Sequence, residues 1–251
     1  YRIMHLKKIS VISVIKGIKS SLYNSFDTLY KQGKDHFDHI VIFKDISKDD
    51  IKNLNKKYPQ SQFIIEKDND YRNKFFAINQ AINEVKTEYI CFLHDDDHYI
   101  NDSYLKDSNR IINEENVDMV SSNIKFHING KTQRSWKLHK KYNIFSFHNI
   151  PAHTSIIYKK DLHNELGYYS LDFPIAADFD FMINLISKSN LRTKHINYYS
   201  LSMSLGGDST NIKNLYKVFM EDLKIFKKNN LSFPITRTFL KKILKIKQYY
   251  E

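Results

Sequence analysis

The chain has 251 residues, of which 41% are hydrophobic and 14% aromatic, and its formal net charge is +11. This composition indicates a globular protein with a substantial core and excludes a disordered chain. No apolar run approaches the roughly 20 residues that span a bilayer, no signal peptide is visible, and the single cysteine excludes an internal disulfide, so we expect a cytoplasmic protein. The positive charge indicates an anionic partner but does not choose among nucleic acid, a nucleotide and a membrane surface.

The first 100 residues predict four strands that alternate with helices. Apolar, strand-forming runs predict strands at 8–15, 39–43, 62–65 and 89–93. Amphipathic patterns predict helices at 20–31, 48–57 and 73–85, with Ser47 as the N-cap of the second. This alternation predicts a parallel sheet with right-handed crossovers. No glycine-rich phosphate loop follows any strand, so neither a P-loop nor a dinucleotide fingerprint is present.

Three consecutive carboxylates, Asp95, Asp96 and Asp97, directly follow the fourth predicted strand. Carboxylates this close repel one another, and a divalent cation bound there removes that repulsion. Ligands of open α/β sheets bind beyond the carboxyl ends of the strands, where this cluster is expected. The alternative is an acidic loop in which Asp96 or Asp97 caps a helix that starts near Asn101.

The regular alternation stops after the acidic cluster, so the second half is α+β in character. Asn129-Gly130 is the strongest turn signal in the chain and predicts a hairpin. The remaining strands are predicted at 118–128, 132–138, 154–158 and 192–199. The remaining helices are predicted at 103–115, before Gly167, at 177–187 and at 211–228, and a basic tail follows.

Four stretches carry a resemblance to a known family. They are ISVISVIKG, EKDND with FFAINQAINEVKTEYICFLHDDD, IPAHTSIIYKKDLHNELGYYSLDFPIAADFDFMINLI, and SLGGDST. In this order and spacing, over about residues 8–212, they resemble family 2 glycosyltransferases of the GT-A fold, particularly bacterial transferases of the colanic-acid and capsule type. The resemblance implies a Rossmann-like, mostly parallel sheet flanked by helices, an α+β acceptor-side half and C-terminal helices. It also implies one domain over 1–212, with a nucleotide-donor half (about 1–98) and an acceptor half (about 99–212), and a basic helical extension over 213–251.

The resemblance implies an inverting, Mn²⁺- or Mg²⁺-dependent transfer of a sugar from a nucleoside-diphosphate donor. A UDP-sugar is the favoured donor, and the acceptor is a glycan or a polyprenyl-linked sugar of surface polysaccharide synthesis, in a capsule or lipopolysaccharide. A GT-A-like nucleotide-binding or scaffold protein without activity is one alternative. A basic nucleic-acid-binding protein is another, but the lysines are scattered through the chain and no recognition motif is present, so we expect no nucleic-acid partner.

The resemblance also implies roles for individual residues. Asp96 and Asp97 match the metal-binding acidic pair, and Asp95 with Asp97 forms an Asp-x-Asp arrangement, so Asp95 and Asp97 are the implied metal ligands. Asp178 matches the carboxylate of an Ala-Ala-Asp-like segment that serves as the catalytic base. Without the resemblance, the better explanation of Asp178 is an acid that stabilises a helix N-terminus. The implied nucleotide-binding residues are Ser13, Ile15, Asp45, Glu66, Asn79 and Asp96.

Three further residues are candidates for positioning the acceptor or a phosphate. His153 matches a Pro-x-His segment, with a structural histidine as the alternative. Gly207 belongs to a paired-glycine turn of the family. Trp136, the only tryptophan, predicts a sugar-stacking surface, with packing in the hairpin as the alternative. Two departures from the family pattern concern the donor site: Lys44-Asp45-Ile46-Ser47 replaces a more acidic, glycine-containing segment, and 71–74 is an insertion.

The tail over 236–250 predicts an amphipathic helix whose apolar stripe is flanked by lysine and arginine. Such a helix can lie in the headgroup region of an anionic membrane, which predicts peripheral attachment to the inner face of the plasma membrane. The alternative is that the stripe packs on the catalytic domain or on a second subunit, as in a homodimer.

Overall fold

The computed structural model describes residues 8–67, 73–138, 150–188, 190–207 and 211–249. The described strands are β1 (Ile9–Lys16), β2 (Phe37–Lys44), β3 (Ser61–Ile65), β4 (Tyr89–Phe92), β5 (His98–Tyr99), β6 (Met119–Ile128), β7 (Lys131–Trp136), β8 (Ile156–Lys159) and β9 (Thr193–Ser204). The described helices are α1 (Ser20–Tyr30), α2 (Lys48–Lys57), α3 (Lys74–Glu84), α4 (Tyr104–Glu115), α5 (Leu162–Leu166), α6 (Ala177–Ser187), α7 (Leu215–Lys228) and α8 (Pro234–Lys247).

The strands form one sheet in the order β3-β2-β1-β4-β8-β6-β9-β5, and β7 pairs with β6. The first four strands are parallel: β1 pairs with β2 and β4, and β2 pairs with β3. The predicted βα units are therefore confirmed. The strand order reverses between β1 and β4, and such a switch point opens a crevice at the carboxyl ends of the strands.

The second half of the sheet is mixed, as predicted. Antiparallel pairs join β4 to β8 and β8 to β6, whereas β9 runs parallel to β6. β6 and β7 form the predicted hairpin, and Asn129 and Gly130 both have positive φ angles (47° and 76°), as a type I′ turn requires.

Several boundaries differ from the prediction. β8 begins at Ile156, later than predicted, because residues His153–Ser155 form a 3₁₀ turn. β9 ends at Ser204, later than predicted, because its last residues pair with β5 and β6. α4 begins at Tyr104, and its N-cap, Ser103, makes no side-chain capping bond. Asp96 and Asp97 therefore do not cap this helix, which removes the alternative explanation of the acidic cluster.

The C-terminal helices pack on the sheet domain. Ile225 and Phe226 of α7 belong to the same buried cluster as Ile12 of β1 and Phe92 of β4. α8 packs against α7, with the rings of Phe219 and Phe239 5.2 Å apart. The core thus continues across the boundary that the sequence predicted at residue 212. In the described part of the chain, every helix is too short or too polar to cross a membrane.

Candidate active site

A cavity of about 500 Å³ opens at the carboxyl ends of β1 and β4. Both halves of the sheet and the two C-terminal helices contribute to its walls. Its lining includes Lys16, Asp97, Trp136, His153, Asp178 and Lys241. The cavity therefore brings together most of the residues that the acidic cluster and the later motifs predicted.

Asp97 is the most deeply buried of the three consecutive carboxylates, with 2% of its surface exposed. Its Oδ1 accepts a hydrogen bond from the backbone N–H of Ser204 (3.0 Å), whereas its buried Oδ2 has no partner among the described residues. Burial, and then the charges of Asp96 and Asp95, raise the pKa of Asp97 to about 8. The fold therefore holds a buried carboxylate that forms no ion pair among the described residues, and the charge of Lys74 offsets only part of the effect of burial and of the two neighbouring carboxylates.

The other two carboxylates of the cluster have different surroundings. The Nζ atom of Lys19 lies 3.0 Å from Asp95 Oδ2, so Asp95 has a cation of its own. Asp96 is half-buried, and burial and the neighbouring Asp95 raise its pKa. Asp97 is consequently the member of the cluster best suited to a further cation.

We tested whether these residues fit the divalent cation that the motif implies. In the described ranges, no three histidine, cysteine or acidic side chains group as a metal cage. Mg²⁺ commonly binds through one or two carboxylates together with substrate phosphates, rather than in an all-protein cage. The unpartnered Oδ2 of Asp97 fits that kind of site, and Asp95, which is paired with Lys19, fits it less well.

Asp178 lies in the first turn of α6 and lines the cavity. Its Oδ1 accepts a hydrogen bond from the backbone N–H of Phe179 (2.8 Å). Asp180, the next acid along the helix, is buried and accepts hydrogen bonds from Lys228 (2.7 Å) and Asn229 (3.4 Å). Asp178 is therefore the acid of this helix that faces the cavity, and Asp180 ties α6 to α7.

Glu221 of α7 caps the N-terminus of α6. Its Oε2 accepts hydrogen bonds from the backbone N–H groups of Ile175 (3.0 Å) and Ala176 (2.8 Å), and Ala176 precedes Asp178 by two residues. This role was not predicted, although the sequence contains a signal for it. Glu221 and Asp222 are two adjacent acids among the buried residues of α7, beside the apolar Val218 and Ile225.

α8 supplies a wall of the cavity. Lys241 donates a hydrogen bond to the buried Asp222 (2.6 Å), and its Nζ lies 3.3 Å from the centre of the Phe179 ring. Leu244 and Gln248 also line the cavity. The sequence analysis offered packing on the domain as one of two roles for this segment, and the structure shows that packing.

A chain of hydrogen bonds leads from His153 into the core. The Nε2 atom of His153 lies 2.5 Å from the hydroxyl of Tyr169, which lies 2.8 Å from the hydroxyl of Tyr158. The hydroxyl of Tyr158 lies 3.0 Å from Nε2 of His163, and Nδ1 of His163 lies 3.0 Å from the carbonyl oxygen of Gly167.

The Gly167 carbonyl fixes the direction of every bond in this chain. Because a carbonyl only accepts, Nδ1 of His163 donates, and its Nε2 accepts from Tyr158. Tyr158 then accepts from Tyr169, and Tyr169 accepts from Nε2–H of His153. Burial lowers the pKa of His153 to about 3, so the ring is neutral and its Nδ1 is a hydrogen-bond acceptor. Such a ring suits a sugar hydroxyl and does not suit a phosphate.

Two predicted nucleotide contacts in β1 are not supported by the structure. Ser13 is buried and donates to the carbonyl oxygen of Leu93 (2.6 Å), and Ile15 lies in the core. Side chains alternate along a strand, so Val14 and Lys16 line the cavity instead.

The remaining predicted residues lie at three different places. Asp45 and Glu66 line a separate groove at the ends of β2 and β3. Asn79 bonds both the N–H (3.1 Å) and the C=O (2.8 Å) of Tyr169, so it positions the tyrosine that contacts His153. Gly207 lines the cavity.

Trp136 also lines the cavity and stacks on Phe126, with the ring centres 6.3 Å apart. Trp136 therefore packs in the hairpin and also lines the cavity, so both predicted roles remain open to it. Of the predicted insertion, residues 71 and 72 lie outside the described residues, and Lys74 lines the cavity.

Solved structures share this fold. S. aureus TarS 1-349 superposes with a TM-score of 0.66 at 19% identity, over 92% of this chain and 68% of that chain. Its complex with UDP-GlcNAc gives a TM-score of 0.69 at 19% identity, over 92% and 69%. The mannosyltransferase PcManGT from Pyrobaculum calidifontis, in complex with GDP-Man and Mn²⁺, gives 0.65 at 13% identity, over 95% and 70%. The predicted GT-A fold is confirmed.

The sequence itself defines the family. The family model described as Glycosyl transferase family 2 matches residues 10–172, which is more than half of the chain. No curated protein sequence matches the chain. The chain therefore belongs to glycosyltransferase family 2 and is a glycosyltransferase, as its motifs predicted.

Proposed function

We propose that the protein is an inverting, metal-dependent glycosyltransferase that uses a nucleoside-diphosphate sugar, with a UDP-sugar as the favoured donor. One observation carries the proposal: a single cavity holds the unpartnered carboxylate oxygen of Asp97 and, at the start of α6, the carboxylate of Asp178. The relatives support the donor class, because TarS has been solved with UDP-GlcNAc and PcManGT with GDP-Man and Mn²⁺.

The donor diphosphate is proposed to lie at the ends of β1 and β4, beside the cavity-lining Lys16, Lys19 and Lys74. Asp97, with Asp95 and Asp96 beside it, would hold Mn²⁺ or Mg²⁺ there. When bound, the ion acts as a Lewis acid that stabilises negative charge on the leaving diphosphate. The lysines add fixed positive charge to the same part of the cavity.

Asp178 is proposed as the general base. An inverting displacement needs a group that removes the proton of the attacking hydroxyl on the face opposite the leaving group. The N-terminus of α6 fixes the direction of Asp178, and His153 presents Nδ1 to a sugar hydroxyl in the same cavity. In this proposal Asp178 accepts the proton of the attacking hydroxyl, and His153 orients the sugar.

The acceptor is proposed to be a glycan or a polyprenyl-linked sugar of capsule or lipopolysaccharide synthesis, at the cytoplasmic side of the membrane. The exposed face of α7 and α8 supports this setting because it is apolar and flanked by Arg237 and Lys242. Its exposed residues are Leu215, Tyr216, Phe233, Ile235, Phe239, Leu240 and Ile243, which we call the apolar face. Such a face can lie in the headgroup layer without spanning the membrane.

The proposal is tested by offering the protein a panel of UDP-, GDP- and TDP-sugars with Mn²⁺ or with a chelator. We expect Mn²⁺-dependent binding by calorimetry, strongest for a UDP-sugar, and a product whose anomeric configuration, read by NMR, is opposite to that of the donor. Retained configuration, or turnover that the chelator leaves unchanged, would contradict the proposal. Tight donor binding without transfer to any glycan would favour the scaffold alternative.

A further inference from the structure

Arg134 is a buried cation on the acceptor side of the cavity. It lies in β7, faces the cavity and has 6% of its surface exposed. Its guanidinium carbon lies 3.8 Å from the centre of the Phe126 ring, and Nη1 donates to Oε1 of Gln248 (3.0 Å). The side chain is therefore held in place by an aromatic ring and a neutral amide.

These contacts leave the positive charge of Arg134 without a counter-charge. No carboxylate among the described residues forms an ion pair with it, and its buried Nε has no acceptor there. Burial lowers the pKa of Arg134, which reflects the same lack of compensation. Buried charges in proteins are paired as a rule, because an unpaired one costs several kcal/mol.

A second unpartnered donor lies on the same wall. The indole Nε1–H of Trp136 is buried and has no acceptor in the described chain, and Trp136 also lines the cavity. Phe126 contacts both side chains, so one aromatic surface supports a cation and an N–H group. Two buried donors without acceptors are what a site for an anion provides.

The sheet register places this wall two strands from the segment of β9 that bonds Asp97. Phe126 pairs with Arg134 on β7 and with Met203 on β9, and the next residue, Ser204, bonds Asp97. Two strand spacings separate Arg134 from Met203, which is about 10 Å. Arg134 and Asp178 line the same cavity, so an acceptor sugar bound at Asp178 can present a charged substituent to Arg134.

We propose that Arg134 and Trp136 form a subsite for an anionic group, a carboxylate or a phosphate, on the acceptor. The inference rests on the proposed function and narrows it to acceptors that carry negative charge. The donor diphosphate has the same chemistry, but Lys16, Lys19 and Lys74 already line the cavity near the acidic cluster. The subsite is therefore assigned to the acceptor. The experiment distinguishes an anionic group on the acceptor from the diphosphate of the donor.

The test compares Arg134→Gln with the wild type and with Arg110→Gln, which removes an exposed arginine paired with Glu114. Binding of D-glucuronate, glycerol phosphate and neutral D-glucose is measured by NMR titration, with UDP and Mn²⁺ present. We expect both anions to bind the wild type better than glucose does, and to bind Arg134→Gln about tenfold more weakly, as the loss of one charge-assisted partner predicts. Arg110→Gln should bind like the wild type.

Arg134→Lys is the second variant. It keeps the charge without the planar fork, so anion binding should fall between those of the wild type and Arg134→Gln, which also guards against misfolding of the neutral variant. Equal binding of glucose and glucuronate to the wild type would overturn the inference. A loss of UDP affinity in Arg134→Gln as large as its loss of glucuronate affinity would assign Arg134 to the donor and overturn it too. Failure of the wild type to bind or transfer any nucleotide sugar would instead refute the proposed function, because the anion titration is read separately.

Discussion

A buried carboxylate normally has donors for both oxygens, and Asp97 departs from this rule. Ser204 serves one oxygen, and the charges of Asp95 and Asp96 lie close to the other side of the residue. A carboxylate in this position lowers the stability of the protein alone and gains a partner when a cation binds. A role in cation binding therefore explains why this position holds an aspartate, whereas a role in packing does not.

Asp97→Asn is expected to separate stability from binding. The amide oxygen keeps the Ser204 bond while the repulsion from Asp96 is removed, so the free energy of unfolding should rise by about 1 kcal/mol. Mn²⁺-dependent nucleotide binding should fall at least about tenfold. Urea unfolding and calorimetry measure the two effects, with Asp35→Asn as an exposed control. A variant that is no more stable and still binds with Mn²⁺ would refute this role.

Asp178→Asn keeps the shape and the hydrogen bond to Phe179 but removes the proton acceptor. We expect turnover to fall by about 10²–10⁴-fold while the dissociation constant of the donor stays close to that of the wild type. Asp172→Asn, an exposed change near the same helix, is the matched control. Near-normal turnover in Asp178→Asn would move the base to another residue.

At the residue scale, the acidic cluster could be located from the sequence because it follows the end of a hydrophobic strand, whereas Asp178 was identified only through the family resemblance. The resemblance implied nucleotide contacts for Ser13 and Ile15, whose side chains are buried, and it could not show which side chains of β1 face the cavity. Glu221 and Arg134 were missed because their partners are more than 40 residues away, at Ala176, and more than 100 residues away, at Gln248. A local pattern cannot show such pairs.

At the scale of elements, α7 and α8 complete the site. α7 caps α6 through Glu221, and α8 brings Lys241 and Gln248 to the cavity. These helices were predicted from their own periodicity with nearly correct boundaries. Packing of α8 on the domain was only one of the alternatives predicted, because an amphipathic stripe indicates burial without identifying the surface that buries it.

Glu221→Ala should weaken the N-terminus of α6. Two backbone donors lose their charged acceptor, so the free energy of unfolding should fall by roughly 2–4 kcal/mol. Turnover should fall as well, because Asp178 lies in the first turn of the capped helix, while donor binding changes little. Glu221→Gln keeps a carbonyl acceptor and should lie close to the wild type in both assays. Equal loss in the two variants would mean that the negative charge, and not the cap, matters.

The apolar face is expected to bind anionic vesicles at low salt. Truncation before α8 would also remove Lys241, which bonds Asp222, and Gln248, which bonds Arg134. Point substitutions are therefore the better test. Leu240→Ser with Ile243→Ser should reduce co-sedimentation at least about tenfold, since each buried apolar side chain contributes about 1.5–3 kcal/mol. Ile128→Ser, an exposed change in the hairpin, is the control. Unchanged sedimentation would refute membrane attachment, and a concentration-dependent dimer would assign the face to a second copy.

At the scale of the whole molecule, buried neutral histidines make stability depend on pH. His39 bonds Ser13 (3.0 Å) and Ser61 (2.7 Å), and burial lowers its pKa to about 3. The unfolded chain binds a proton near pH 6.5, so between these values it holds more protons than the folded chain. The contribution of His39 is therefore complete above about pH 6.5 and is lost as the pH falls toward 3.

We expect His39→Gln to reduce the slope of the free energy of unfolding against pH in the acidic range. Urea unfolding between pH 8 and pH 4 should give a slope smaller than that of the wild type by about 1.4 kcal/mol per pH unit below pH 6. Leu29→Ala is the control, because it lowers stability at every pH without removing a titrating group. Parallel curves for the wild type and His39→Gln would show that His39 does not contribute to the pH dependence.

The order of the cavity walls along the chain has a consequence for synthesis. Lys241 follows Asp97 by more than half of the protein's length, yet both line one cavity. The parallel strands β1 to β4 emerge from the ribosome first and can pair early, since domains tend to fold from the N-terminus during translation. The wall that carries Lys241 and Gln248 joins only after the rest of the cavity exists. A nascent chain or a proteolytic fragment that stops before residue 241 would therefore display the acidic cluster but hold an open, incomplete site.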